Sequence, residues 1–149
     1  MILGFEGYKS LYAWEQLGPS KTVALLGDPP YRQEFLEIAR RSNSELLSQL
    51  GDRAVVRPLH TFDVETARDQ LVETYEELGR DSGAAFTVCP LGTKPPSLAA
   101  FAFAYTRPRV SVAYVSSLMY CTGNYSRGFD PKYVELSLET LLNSGRQPL

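Results

Sequence analysis

The chain has 149 residues, of which 44% are hydrophobic, and a formal net charge of -2. A chain of this length buries one sizeable core and is too short to divide comfortably into two, so we expect a single domain over residues 1–149. Lysines and arginines are scattered rather than gathered into a run, which argues against a duplex DNA partner. A small anionic ligand held by one or two cations is compatible with this charge balance.

Targeting and metal signals are absent from the sequence. The first seven residues lack the basic region and apolar run of a signal peptide, and no apolar stretch approaches the roughly 18 residues of a membrane span. We therefore expect a cytoplasmic protein with no membrane partner. Cys89 and Cys121 are far apart and the chain has one histidine, so we expect free buried thiols, no metal site and no cofactor.

The first half of the chain alternates between helix and strand patterns. A leading helix is predicted over Phe5–Leu17 and a strand over Thr22–Leu26. A single amphipathic helix follows, with Gly51 placed to end it. Its apolar face is formed by Phe35, Ile38, Ala39, Leu46, Leu47 and Leu50.

The alternation continues with a strand over Ala54–Leu59 and a helix that Asp63 can cap and Gly79 can end. The apolar face of that helix comprises Val64, Ala67, Leu71, Tyr75 and Leu78. A third strand, Ala85–Cys89, is nearly continuous in apolar character, as expected of a strand covered on both faces.

The helix predicted over Ser97–Tyr105 has almost no polar face. Such a helix must be covered all round, either by other elements of this chain or by its copy in a homodimer. A fourth strand follows over Val110–Val115. The segment Ser116–Asp130 is a polar loop of a length typical of function or disorder, and a trailing helix is predicted over Pro131–Leu142.

This alternation predicts an α/β fold of the doubly wound, Rossmann-like type. Its mainly parallel four-stranded sheet has helices on both faces, and right-handed crossovers favour the strand order 2-1-3-4. The first and third strands are then neighbours, and a ligand crevice opens at their carboxyl ends.

The loop after the third strand has the chemistry of an anion or nucleotide cradle. Gly92 lets a backbone approach closely, Thr93 and Ser97 supply hydroxyl groups, and Lys94 supplies a positive charge at a helix start. The loop lacks the first glycine and the full spacing of a P-loop. A capped helix start with an exposed lysine is an equally good interpretation.

Residues in three other segments are also candidates. Asp28 and Arg32 offer an acceptor and a cation, although Gly-Asp-Pro-Pro is equally an ordinary turn. His60 follows the second strand, where a lone histidine is more often a hydrogen-bonding residue at a helix start than a catalytic base. In the long loop, Asn124 and Arg127 lie among tyrosines that can stack on nucleobases, but a disordered or partner-binding loop is an equal alternative.

The run Gly92-Thr93-Lys94-Pro95-Pro96-Ser97-Leu98-Ala99-Ala100 resembles the Gly-Thr-Lys-Pro-x-Ser/Ala-Leu-Ala signature of CRISPR-associated Rossmann-fold (CARF) sensor domains. The resemblance is good over about 30 residues, from Ala85 to Val115. It implies a homodimer that binds a cyclic oligoadenylate across its twofold axis, with Gly92, Thr93 and Lys94 touching the ligand and Ser97 starting the helix. Here Cys89-Pro90-Leu91 replaces a polar stretch that often precedes the signature, which leaves the ligand's identity open.

Three functions follow as hypotheses. The first is a nucleotide-sensing regulatory domain of an antiphage defence system, which binds a cyclic or linear oligonucleotide second messenger and acts on an effector protein. The second is a phosphodiesterase acting on such a nucleotide, for which no catalytic residue can be named. The third is an interaction module of a defence complex that binds no small molecule. The chain is either a stand-alone protein or one domain of a longer one.

Overall fold

The computed structural model describes residues 1–51, 54–78 and 85–116, together with Ser137, Glu139 and Leu142. Within these residues the chain is α/β with parallel strands, which confirms the predicted class. The strands are β1 (Ile2–Leu3), β2 (Thr22–Gly27), β3 (Ala54–Leu59), β4 (Phe86–Val88) and β5 (Val110–Val112). The helices are α1 (Gly7–Leu17), α2 (Gln33–Ser42), α3 (Ser44–Leu50), α4 (Val64–Leu78) and α5 (Lys94–Tyr105).

The described strands form a three-stranded sheet of order β1-β2-β3 and a two-stranded sheet of β4 and β5. An isolated parallel bridge joins Ile2 to Pro90. Around it, the Ile2 N–H donates to the Cys89 carbonyl and the Leu91 N–H donates to the Ile2 carbonyl, both at 2.9 Å. The sequence prediction placed Thr22–Leu26 directly beside Ala85–Cys89 in a four-stranded sheet. In the structure β1 lies between them, a strand of two residues that is too short to give a periodic pattern.

Two hydrophobic clusters pack on opposite sides of the β1-β2-β3 sheet. Successive strand residues point to opposite faces, so Leu25 joins one cluster while Ala24 and Leu26 join the other. The first cluster includes the apolar faces of α4 and α5, and Phe103 lies fully buried within it. The second includes buried residues of α2 and α3, with partly buried α1 residues packed against it. Helices therefore cover both faces of this sheet.

The single helix predicted between the first two long strands is divided into α2 and α3 at Asn43. The buried Asn43 side-chain amide donates to the Gly4 carbonyl at 2.7 Å and to the Ala39 carbonyl at 2.8 Å. A short amide side chain that bonds nearby backbone competes with helix continuation. Ile38, predicted on the apolar face, is 42% exposed. The prediction that Gly51 ends this segment is confirmed, since α3 is closed by Gly51 at φ 53°.

The helix α5 begins three residues before the predicted Ser97, and it is not covered all round by the described residues. Leu98, Phe101 and Tyr105 are 46%, 53% and 64% exposed. Their spacing puts them on one face, and we call these three residues the α5 ridge. The predicted trailing helix lies largely outside the described residues, and Gly79 and Cys121 lie wholly outside them. No helix of the described residues is long and apolar enough to cross a membrane.

Candidate anion-binding site

Parallel strands present their carboxyl ends at one edge of a sheet, where the loops to the following helices lie. Four such loops are described, after β1, β2, β3 and β4. They differ in how many of their polar groups are already bonded within the protein. That difference distinguishes a candidate ligand site from a structural turn.

The β4–α5 loop carries consecutive backbone donors without a partner. Among the described residues, the N–H groups of Gly92, Thr93 and Lys94 donate no hydrogen bond. The next two residues, Pro95 and Pro96, have no N–H. The first turn of α5 therefore offers fewer helix amides than the sequence prediction assumed, and the available donors precede the prolines.

Side chains of the same loop complete its chemistry. Thr93 flanks α5 in an extended conformation and makes no side-chain capping bond. The Lys94 side chain is exposed and makes no ion pair or hydrogen bond within the described part of the chain. The Ser97 hydroxyl donates to the Thr93 carbonyl at 2.9 Å, a contact that closes the first helical turn. Ser97 therefore has a structural contact at the helix start, while Thr93 and Lys94 are open to a ligand.

Gly92 lies against β1, which confirms the prediction of a closely approached backbone position. A Cβ atom at Gly92 would lie 2.9 Å from the Ile2 Cγ2 atom. Across the same contact, a Cβ atom at Gly4 would lie only 2.1 Å from the Leu91 carbonyl oxygen. The end of β1 and the β4–α5 loop are therefore in direct backbone contact. Both glycines are needed for this packing, whatever the loop binds.

The β2–α2 loop is the second predicted component. The Asp28 N–H donates to the Leu59 carbonyl at 2.9 Å, and the Arg32 guanidinium lies 5.7 Å from the centre of the Phe35 ring. The Asp28 carboxylate and the Arg32 side chain are both exposed. Because β1 lies between β2 and the Cys89–Leu91 segment, this loop does not share with Gly92–Lys94 the crevice between adjacent strands that we predicted.

The β3–α4 loop is closed by its own hydrogen bonds. The His60 N–H donates to Gln70 Oε1 at 2.7 Å, and His60 Nδ1 accepts the Asp63 N–H at 2.9 Å. The Asp63 carboxylate accepts the Thr66 N–H at 2.6 Å, which confirms Asp63 as the cap of α4. That bond from Thr66 lowers the pKa of Asp63. His60 therefore has the structural role that the sequence interpretation favoured.

Sequence reasoning missed a charged pair beside β1. Lys9, on the first turn of α1, is almost fully buried and lies 2.6 Å from the Glu6 carboxylate. Burial raises the pKa of Glu6, but bonds from Lys9 and Tyr8 and the Lys9 charge outweigh it, so the net shift is downward. Two charges three residues apart at a helix start are usually a surface pair, so no sequence signal marks this one as buried.

Three further predictions concern the cysteines, a metal site and the long loop. Cys89 is a free, fully buried cysteine, as predicted, and burial raises the pKa of its thiol, which makes it a poor nucleophile. No group of three or more potential metal ligands occurs among the residues that are described. Asn124 and Arg127 lie outside them.

No protein-family model matches the chain, and no curated protein is significantly similar to it.

Proposed function

We propose that this chain is a nucleotide-sensing regulatory domain that binds the phosphate backbone of a cyclic or linear oligonucleotide second messenger at Gly92, Thr93 and Lys94. The observation that carries the proposal is the run of three backbone N–H groups without a partner, which ends at an exposed lysine. Backbone N–H groups without a partner at a helix start favour an anion. The lysine adds a positive charge at the same position.

The energetics favour an anionic ligand over a neutral one. Gly92 and Thr93 are half-buried, and a partly desolvated N–H group gains most from an acceptor that carries charge, roughly 1.5–3 kcal/mol per bond. A phosphodiester presents two such oxygens per linkage. The likeness of Gly92–Ala100 to the CARF signature supports an oligonucleotide rather than a simple phosphate ester as the source of that phosphate.

The proposal extends to the assembly in which the site works. The α5 ridge is an exposed apolar surface on the helix that follows the loop, and it supports a homodimer in which two copies of α5 pack together. We further propose that the described strands belong to one Rossmann-like sheet and that the protein acts in the cytoplasm on an effector of an antiphage defence system. Asp28, Arg32, Asn124 and Arg127 are proposed secondary contacts, and Ser97 supports the loop.

The test is calorimetric titration with a panel of linear and cyclic oligoadenylates and inorganic phosphate, on the parent chain, Lys94→Gln and Lys21→Gln. Lys21 is an exposed lysine at the opposite end of β2 and serves as the matched control. We expect saturable binding to the parent, a loss of about tenfold to a hundredfold in affinity for Lys94→Gln, and parental affinity for Lys21→Gln. Equal losses in both variants would indicate a general charge effect, and no binding by the parent would overturn the proposal.

A second function is favoured by the same ridge. If the exposed Leu98, Phe101 and Tyr105 side chains bind a partner protein and no nucleotide binds, the chain is an interaction module instead. Chromatography of the nucleotides after prolonged incubation distinguishes the sensor and the interaction module from a phosphodiesterase, since only an enzyme consumes its ligand. Light scattering of the parent beside Phe101→Glu tests the dimer: we expect a dimer that the charged side chain dissociates.

A further inference from the structure

A groove between α1 and the α2–α3 junction is distinct from the β4–α5 loop. It has a volume of about 200 Å³ and is lined by Tyr8, Leu11 and Tyr12 and by the acidic residues Glu15 and Glu45. We call it the α1 groove. Pockets that hold drug-sized ligands or metabolites run from roughly 300 to 1,000 Å³. The α1 groove is smaller, which suits one long side chain of a partner better than a free small molecule.

The floor of the groove is fixed before any partner arrives. A Cβ atom at Gly7 would lie 1.6 Å from the Ser42 carbonyl oxygen, so α1 and the end of α2 are in backbone contact. The Tyr8 hydroxyl donates to Glu6 at 2.9 Å, and the Lys9 ammonium lies 6.0 Å from the centre of the Tyr8 ring. A surface that is already ordered loses less entropy on binding than a mobile one.

The charged residues that line the groove are both acidic. None of its described lining residues is basic, and Glu15 and Glu45 form no ion pair within the described residues. The nearest cation on the same helix, Lys9, is paired with Glu6. Two acidic residues therefore line a groove whose other lining residues are Gly7, Tyr8, Leu11, Tyr12 and Ser42. Such a site attracts a cation with a flat or apolar body.

We infer that the α1 groove binds an arginine side chain presented by a segment of a partner protein. A guanidinium is planar, so it stacks on tyrosine rings and donates two parallel hydrogen bonds to one carboxylate. A lysine ammonium has neither the planar shape nor this paired geometry. Tyr8 and Tyr12 are 57% and 54% exposed, and exposed tyrosines are typical centres of protein interfaces. This inference is independent of the proposed nucleotide site.

The probe is the peptide acetyl-Gly-Gly-Arg-Gly-Gly-amide, titrated into the ¹⁵N-labelled full chain and followed by amide chemical shifts. The comparison peptides carry lysine or citrulline, which is uncharged, in place of arginine. We expect saturating shifts at Tyr8, Tyr12, Glu15 and Glu45 with the arginine peptide, weaker binding of the lysine peptide, and no saturation with citrulline. Lys94→Gln should bind the arginine peptide like the parent, which separates this test from that of the nucleotide site.

Variants inside and outside the α1 groove test where the arginine peptide binds. Glu45→Gln and Tyr12→Ala should each weaken binding of the arginine peptide by roughly fivefold to tenfold, and Glu37→Gln, an exposed acid on α2 outside the groove, should leave it unchanged. Melting temperatures of all three should stay within about 3 °C of the parent, since these are surface positions. Absence of saturable shifts, shifts elsewhere, or equal binding of citrulline would overturn the inference. Shifts of the same amides with protein concentration alone would assign the groove to a second copy of the chain, and would overturn it too.

Discussion

The starts of α4 and α5 occupy equivalent places in the fold but differ in how their donors are bonded. Both helices follow a parallel strand at its carboxyl end. At α4, the Asp63 carboxylate accepts a hydrogen bond from the Thr66 N–H, and His60 Nδ1 accepts one from the Asp63 N–H. At α5, no side chain caps the helix and three consecutive N–H groups have no partner among the described residues.

Residue type alone therefore does not identify a ligand site. His60 and Asp63 look more catalytic in the sequence than Gly92 and Thr93 do. In the fold, however, His60 and Asp63 already form hydrogen bonds within the protein, so these residues stabilise the start of α4. A buried or half-buried donor must find an acceptor somewhere, and at α5 the acceptor has to come from outside the described residues.

Gly4→Ala should destabilise the chain more than the other variants, because it disturbs the packing that positions the start of α5. Gly4→Ala places a Cβ atom against the Leu91 carbonyl oxygen at 2.1 Å. That oxygen cannot move freely, because the Leu91 N–H is bonded to Ile2. We expect a loss of about 3 kcal/mol in the free energy of unfolding, measured by urea denaturation. A loss below about 1 kcal/mol would show that β1 and the loop are not in close contact.

The second prediction tests the free donors directly. Thr93 has φ -78°, a value that proline accepts, so Thr93→Pro removes one N–H with little change of backbone direction. Thr93→Val removes the hydroxyl and keeps the N–H. If the donors bind phosphate, the proline variant should lose about tenfold or more in affinity for the oligonucleotide that the parent binds.

In calorimetry, the valine variant should lose less affinity than the proline variant, and both should melt close to the parent. Equal affinities of Thr93→Pro and the parent would contradict a role for this N–H group. Equal losses in both variants would assign the effect to the hydroxyl.

The third prediction concerns the contact between the end of β2 and the β3–α4 loop. A Cβ atom at Gly27 would lie 2.7 Å from Thr61 Oγ1, a buried hydroxyl that makes no hydrogen bond within the described residues. Gly27→Ala should cost about 1–2 kcal/mol. Thr61→Ala removes the atom in the way, so the double variant should recover about 1 kcal/mol relative to the sum of the single changes. Additive losses in urea denaturation would mean that the two positions do not touch.

Local patterns predicted the long elements well, because β2 and β3 are apolar runs and α4 repeats apolar residues at helical spacing. They failed where the outcome depends on distant residues. Asn43 breaks a helix whose apolar spacing continues across it, since its amide bonds to Gly4, 39 residues away. β1 is fixed by partners from both β2 and the β4–α5 loop rather than by its two residues.

The candidate site was predictable in part. Gly92, Thr93 and Lys94 could be singled out from their residue types and from the CARF-like run. Their free N–H groups could not, because the partner of a backbone donor is decided by tertiary packing. The burial of Lys9 beside Glu6 likewise depends on how α1 packs, which no local pattern records.

The last prediction concerns the cap that Asp63 forms at the start of α4. Asp63→Ala removes the acceptor for the Thr66 N–H and should lower the free energy of unfolding at pH 7 by about 1 kcal/mol, whereas Asp63→Asn retains a capping oxygen and should lose less. The pKa of Asp63 is lowered in the folded state, so its ionised form adds stability above its unfolded pKa, and this is lost as pH falls through the folded pKa. Urea denaturation at pH 7 and about pH 3 should therefore show the difference between the parent and Asp63→Asn shrinking on acidification. A difference that stays constant would mean that the carboxylate charge does not contribute to the cap.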